Sequence, residues 1–258
     1  MRCPQRGDLF RGLLTAVDPA EESSRWHASA DDYDAWFDRP WGRHATAIEH
    51  DVLLQATGPV AGHQVIDAGC GTGRFTRRLE ADGATVIAID RDRAALDLTG
   101  RRTRAPRLVA DVHVLPIATA SVDLACAVTV CEFAAEPGAV IAELVRVTRP
   151  GGRVVIGSLN PNSPWGRWNR ERLNQPPWSN ARFLDRDSLT GIGRRHGRVE
   201  LRTGLYSPRA LPLQRWWAPA LEAVGRGLAP SWGAFQTLTI HLPSLPATAT
   251  SALGRPEP

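Results

Sequence analysis

Lysine is absent from this chain: all 31 basic residues are arginine. Schiff-base chemistry on a lysine and the phosphate-gripping lysine of a P-loop are therefore excluded. Cysteine is scarce. Cys3, Cys70, Cys126 and Cys131 are the only four in 258 residues, and no two form a CxxC pair. A disulfide framework is not expected, and this usage points to a reducing, cytoplasmic setting. Histidine and cysteine show no metal-ligand spacing, so no metal is expected. Long apolar runs are missing too; none approaches the roughly 18–20 residues of a membrane span. The apolar stretch after Arg2, Arg6 and Arg11 is short and broken, unlike a signal peptide. The formal charge of +4 permits attraction to polyanions. The arginine clusters at 101–107 and 194–198 have no interleaved aromatics and read as solvated faces, so a nucleic-acid partner is not expected.

Apolar residues make up 43% of the chain, enough for a sizeable core. Residues 1–25 read as a flexible arm and 246–258 as a disordered tail. The stretch 26–245 reads as one domain, with a core at about 60–160 and flanking elements at 26–58 and 160–232. Two helical stretches are expected in 31–57, the second with Ala45, Ile48, Val52, Leu53 and Ala56 near helical spacing. From 63 onward, short apolar runs alternate with helix-length segments: 64–68, 84–90, 107–110, 122–130 and 152–159. Runs apolar on both faces and separated by amphipathic helices predict an α/β fold, a mostly parallel sheet covered on both sides. Strands at 198–206 and 235–241 and helices at 185–195 and 209–227 would extend it.

The sharpest local signal is VIDAGCGTGRF (65–75), in which an apolar run ends at Asp67 and glycines follow at 69, 71 and 73. Glycine there permits a tight turn and lets a ligand lie against bare backbone, with helix-start amides free to meet an anion. The run 84–90 ends at Asp90, where the second strand of such a unit should finish. An acidic residue at that point can accept from both hydroxyls of a ribose, or cap the next helix. A nicotinamide dinucleotide and S-adenosylmethionine both fit this far. The dinucleotide fingerprint fits poorly, because its third glycine falls on Thr76 or Arg74.

The D-x-G-x-G-x-G arrangement resembles motif I of the class I, S-adenosylmethionine-dependent methyltransferases. The resemblance continues through ADVHVLP (110–116), SVDLACAVTVCEF (121–133) and VTRPGGRVVIG (147–157), the last similar to the type-11 methyltransferase domain. YDAWFDRPWGRHATAIEHDVL (33–53) is similar to the N-terminal helices that cover the cofactor in such enzymes. The resemblance implies a Rossmann-like seven-stranded, mostly parallel sheet with helices on both faces, the last strand antiparallel and a helical cover at the N-terminus. It implies S-adenosyl-L-methionine as cofactor, with Asp67, Gly69, Gly71 and Gly73 on its methionine part, Asp90 on the ribose hydroxyls, and Asp111 on the adenine amino group with Val112 beside it. Val128 and Thr129 would lie near the methionine amine and the transferring methyl, and Tyr33 would close over the cofactor; Thr129 and Tyr33 are the candidates nearest the chemistry.

Many relatives carry Glu-His after the fourth strand. Here the pair is Glu132-Phe133, so a histidine base is missing. The acceptor is then already ionised or a base stands elsewhere; His27, His44, His50, His113 and His196 have no distinguishing context. The nine tryptophans flank the core on both sides. Trp26, Trp36 and Trp41 precede it, and Trp165, Trp168, Trp178, Trp216, Trp217 and Trp232 follow. Trp36, Trp41, Trp165 and Trp168 are expected to line a pocket for a small, apolar or aromatic acceptor. Segments 26–41 and 160–180 are expected to form a lid that orders on cofactor binding. The competing readings are a nicotinamide-dependent oxidoreductase and a non-catalytic S-adenosylmethionine-binding protein.

Overall fold

A computed structural model describes residues 30–31, 33–169, 181–207 and 214–244, the side chains of 214–216 excepted. The arm 1–25, the tail 246–258, Trp26, Trp178, the side chain of Trp216 and the 170–180 part of the expected lid lie outside the described residues.

The chain runs through a short helical segment at 33–37, α1 (Pro40–Thr57), β1 (Gln64–Ala68), α2 (Arg74–Ala81), β2 (Thr85–Asp90), α3 (Arg93–Arg102), β3 (Arg107–Val109) and β4 (Val122–Val128). A 3-10 turn at Cys131–Phe133 leads into α4 (Pro137–Val147) and β5 (Thr148–Leu159). Then come α5 (Pro164–Trp168), α6 (Arg186–Gly193), β6 (Arg198–Gly204), α7 (Gln214–Leu228) and β7 (Phe235–His241). The seven strands form one sheet in the order β3-β2-β1-β4-β5-β7-β6. All pairings are parallel except those of β7, which runs antiparallel to both β5 and β6.

Strand period two sorts the core into two layers. On β4, Ala125 and Ala127 face one way, toward Val140, Ile141 and Leu144 of α4 and Leu189 of α6. Leu124 and Cys126 face the other, toward Val52 and Leu53 of α1 and Phe75 and Leu79 of α2. Both faces are buried, which is why the strands read as continuous apolar runs rather than alternating ones. Helix α1 starts with Pro40 in its first turn, where the missing N–H costs nothing, and buries Ala45, Val52, Leu53 and Ala56. It packs across β5, β6 and β7, while Asp34 of the 33–37 segment reaches Thr72 in the glycine loop.

Three strand boundaries differ by more than one residue from the sequence expectation. Strand β5 begins at Thr148, running through Pro150 and Gly151 (φ 76°) where a turn is expected. The pairing with β4 jumps from Val122–Thr148 to Leu124–Arg153, so the extra residues are absorbed as a bulge. β4 stops at Val128 because Thr129 turns left-handed at φ 52°. β6 stops at Gly204, with Leu205 at φ 65°.

Candidate functional site

Chain order reverses between β1 and β4, and open α/β sheets form ligand crevices at the carboxyl ends of strands where this happens. The glycine loop occupies that place, and its glycines are there for different reasons. A Cβ on Gly69 would fall 2.3 Å from Val130 Cγ2, and one on Gly73 2.7 Å from Thr99 Cγ2. Both positions are closed by packing. At Gly71, with φ +53°, a Cβ would meet nothing within 4 Å. Its free face looks onto open space at the head of α2.

Asp90 ends β2 and ties the loop down. Its Oδ2 accepts from Gly71 N–H at 2.8 Å and its Oδ1 from Asp92 N–H at 2.9 Å. Asp92, not Asp90, caps α3, accepting from Ala94 N–H. The two Asp90 oxygens keep lone pairs for further donors. Burial raises its carboxyl pKa against these two bonds. Thr99, fully buried on α3, pins the loop from the other side by donating to the Gly71 carbonyl at 2.8 Å.

Asp67 lies under the loop rather than on it. It is 1% exposed, and its Oδ2 accepts from Thr76 Oγ1 at 2.6 Å. Burial pushes its carboxyl up to about 6. Asp111 stands at the same sheet edge, two residues beyond β3, and is exposed. It accepts from His113 N–H, which, with the His113 ring at 2.6 Å, holds its carboxyl below the usual range. Val112 is half-buried against the α4 side of the core, and Val128 against the α1 side. Thr129 is held in its left-handed turn by donating its N–H to the Gly157 carbonyl at 2.8 Å.

Tyr33 is half-buried beside this edge, and its phenol is pushed well above the usual value by burial first and then by Glu49 and Glu132. Asp34, next to it, accepts from Thr72 Oγ1 at 2.6 Å, Arg74 Nε at 2.8 Å and Arg102 Nη2 at 2.8 Å. Arg74 also pairs with Asp38 and lies 4.9 Å from the Phe37 ring centroid. The N-terminal segment is thus latched onto the glycine loop. Burial opposes ionisation of Asp34, yet the bonds from Arg74, Arg102 and Thr72 outweigh it and hold the carboxyl at about 2. A depressed carboxyl stabilises the fold above its unfolded pKa; this contribution fades as pH falls from 3.8 through about 2. Asp34→Ala leaves Arg102 without this carboxylate and Arg74 with the exposed Asp38 alone, at a cost of about 1–3 kcal/mol for partly buried pairs. Amide exchange in 33–37 is expected to quicken about tenfold or more, with β1 and β4 unchanged. Equal exchange in wild type and variant would show that the latch holds nothing.

Of the expected pocket tryptophans, Trp36, Trp41 and Trp165 pack against the core layer that holds Val128 and Cys70, joined there by Phe183. Trp165 Nε1 is buried with no hydrogen-bond partner. Trp168 does not join them. It is 86% exposed on the outer side of the short helix α5, where the one-turn spacing from Trp165 does not keep it inside, and Trp232 is 61% exposed. A cavity of about 190 Å³ lies elsewhere, at the ends of β5, β6 and β7, lined by Asn160, Asp185, Arg186, Thr203 and Gln236 among others. None of the sequence-predicted residues lines it.

Asp34, Thr99, Arg102 and Glu49 belong to none of the site positions that the sequence motifs single out. Only for Thr99 was a signal present, in the small residue needed opposite Gly73. Glu132 was noted only for the histidine missing beside it. It is fully buried in the turn after β4, and its Oε1 accepts from Leu159 N–H at 2.9 Å. Its Oε2 is buried without a partner. Burial pushes both Glu132 and Glu49 up to about 7. Among the described residues no group of three or more His, Cys, Asp or Glu is placed to hold a metal ion, and no helix is long and apolar enough to cross a membrane.

The strand order, the antiparallel β7 and the glycine loop at the switch point define a class I, Rossmann-like methyltransferase fold. Residues 66–156 match the family described as methyltransferase domain. A malonyl-[acyl-carrier protein] O-methyltransferase of Serratia marcescens is 34% identical over 145 residues, covering 55% of this chain and 53% of the relative. The chain thus spans about half the length of that curated relative. Among solved structures, a SAM-dependent methyltransferase from Thermotoga maritima, described as a possible histamine N-methyltransferase, superposes with a TM-score of 0.68 at 19% identity. The match covers 84% of this chain and 98% of that one. A geranyl diphosphate C-methyltransferase from Streptomyces coelicolor A3(2), solved with S-adenosyl-L-homocysteine, gives 0.53 at 16% identity, covering 79% of this chain and 80% of that one. These two likenesses are of fold. S-adenosyl-L-methionine is the cofactor of this domain, and the open face of Gly71 beside the anchored Asp90 carboxylate fits it.

Proposed function

We propose that this protein is an S-adenosylmethionine-dependent methyltransferase acting on a small-molecule acceptor, with residues 26–245 working as one domain. The observation that carries the reading is the pairing of Gly71 and Asp90: a glycine whose side-chain direction is empty, held by the carboxylate that would receive the ribose hydroxyls. When bound, the cofactor supplies a methyl group already activated by its sulfonium. Gly71 would give the cofactor bare backbone to lie on, and Asp90 would accept from its ribose. Asp111 and Val112, at the end of β3, would take the adenine, one by hydrogen bonding and one by contact. Asp67 would act from below, holding the loop through Thr76. Val128 and the strained Thr129 would border the methyl, and Tyr33, latched by its neighbour Asp34, would close the site from above.

In-line displacement at an activated carbon gains most from alignment and exclusion of water, so the cover is part of the chemistry. Trp36, Trp41, Trp165 and Phe183 would supply an aromatic wall for the acceptor, and the orphaned Trp165 N–H a donor to it. The relatives named malonyl-[acyl-carrier protein] O-methyltransferase act on a carrier-bound acid; shared sequence over half of such a protein supports the cofactor half of the reading rather than that acceptor.

Calorimetry with S-adenosylhomocysteine and with NAD(P) tests the core of this. S-adenosylhomocysteine is expected to bind and NAD(P) not; the reverse would return the protein to the oxidoreductases. Release of S-adenosylhomocysteine in an acceptor screen separates an enzyme from a protein that only binds the cofactor.

A further inference from the structure

The carboxyl of Glu132 stands between the ends of β4 and β5. Its backbone carbonyl accepts from Arg182 N–H, its Oε1 from Leu159 N–H, and its Oε2 is buried without a partner. A fully buried carboxyl with an idle oxygen is costly unless a ligand completes it. It lies three residues past Thr129, at the strand end that would border the methyl. Tyr33 of the N-terminal segment is close enough for its phenol to feel both this carboxyl and that of Glu49 on α1.

No cation offsets this group among the described residues that face it. Arg74, which Tyr33 also feels, is spent on Asp34 and Asp38, and Arg182 is exposed. An acceptor carboxylate would meet two acids and a phenol there, whereas a nitrogen bearing protons would complete Glu132.

Resting on the methyltransferase reading above, we infer that the acceptor is an amine, and that Glu132 binds its ammonium and takes its proton, with Glu49 adding to the field. One N–H proton passes to Glu132 Oε2. The freed lone pair forms the new nitrogen–carbon bond as the carbon–sulfur bond breaks, its pair staying on sulfur. An ammonium, a carboxylate and a sulfonium thus become a methylated ammonium, a carboxylic acid and a neutral thioether. The missing histidine after β4 is then no loss, because the glutamate before it is the base.

Sinefungin tests this, because it carries an ammonium in place of the methylated sulfonium, at the point where Glu132 should act. The full chain is titrated with sinefungin and with S-adenosylhomocysteine. Sinefungin is expected to bind about tenfold more tightly or better, the scale of one charge-assisted hydrogen bond. The preference should grow as pH rises through the neutral range, where Glu132 and Glu49 ionise; the other groups facing them, Tyr33, Cys131, Asp34 and Arg74, keep their charge states there. Glu132→Gln keeps the acceptor for Leu159 N–H and should erase most of the preference, leaving S-adenosylhomocysteine affinity unchanged; Glu49→Gln should reduce it by less. Should Glu132→Gln fail to fold, the wild-type ratio and its pH dependence decide. A wild-type ratio near one, or a ratio that Glu132→Gln leaves unaltered, overturns the inference with the cofactor reading intact. Failure of both ligands to bind overturns the cofactor reading itself and the inference with it.

Discussion

Gly71→Val is expected to abolish S-adenosylhomocysteine binding, with at least a hundredfold loss in affinity, while the sheet stays folded. A Cβ on Gly71 would meet no atom of the chain within 4 Å, so the added side chain grows into the place of the ligand. Its φ of +53° adds strain of about 1–2 kcal/mol for a residue with a Cβ, more for a branched one, lowering the melting temperature by a few degrees. Gly69→Ala is the contrasting variant. Its Cβ would sit 2.3 Å from Val130 Cγ2, so it should damage the fold itself. Calorimetry and thermal melts on both variants check the pair. Normal binding by folded Gly71→Val would make the loop a structural turn only.

Asp90→Ala is expected to weaken S-adenosylhomocysteine by about 1.5–3 kcal/mol, roughly 10- to 150-fold, the loss of charge-assisted hydrogen bonds to the ribose. The structure adds a second consequence. Gly71 N–H and Asp92 N–H both lose their acceptor, and an orphaned, partly buried N–H costs about 1–3 kcal/mol. The variant should therefore be less stable as well as weaker, and amide exchange at 69–73 should quicken. Asp90→Asn retains one acceptor oxygen and should fall between wild type and alanine in both measurements. Unchanged affinity in folded Asp90→Ala would remove the ribose role.

The strands were legible because their signal is local. β1 and β7 fall at the residues that apolar runs and alternation pick out, and the glycine loop announces itself by composition within eleven residues. The end of β2 at Asp90 was equally readable, since a parallel strand buried on both faces must stop being apolar where it reaches the crevice. Boundaries failed where backbone, not side chain, set them. The bulge that carries β5 through Pro150 and Gly151 and the left-handed Thr129 leave no mark on hydrophobic periodicity. Trp168 failed for a related reason: a five-residue helix has no settled inner face, so its distance from Trp165 did not predict burial.

What the amino-acid sequence determined by itself is a two-faced parallel sheet, a glycine turn at its first strand and an acid at the end of its second. Each of these is written in neighbouring residues through strand and helix periods. The tertiary structure alone decided what surrounds that turn. Asp34 meets Arg102 across 68 residues of chain, and Glu132 meets Leu159 across 27. Such pairs form because the crossovers bring separate strand ends to one edge of the sheet, and no local pattern encodes which polar side chains will meet there. Even the distinction between the three glycines is of this kind. Their left-handed turns are local, but whether a Cβ would strike Val130, Thr99 or empty space depends on elements folded in from elsewhere in the chain.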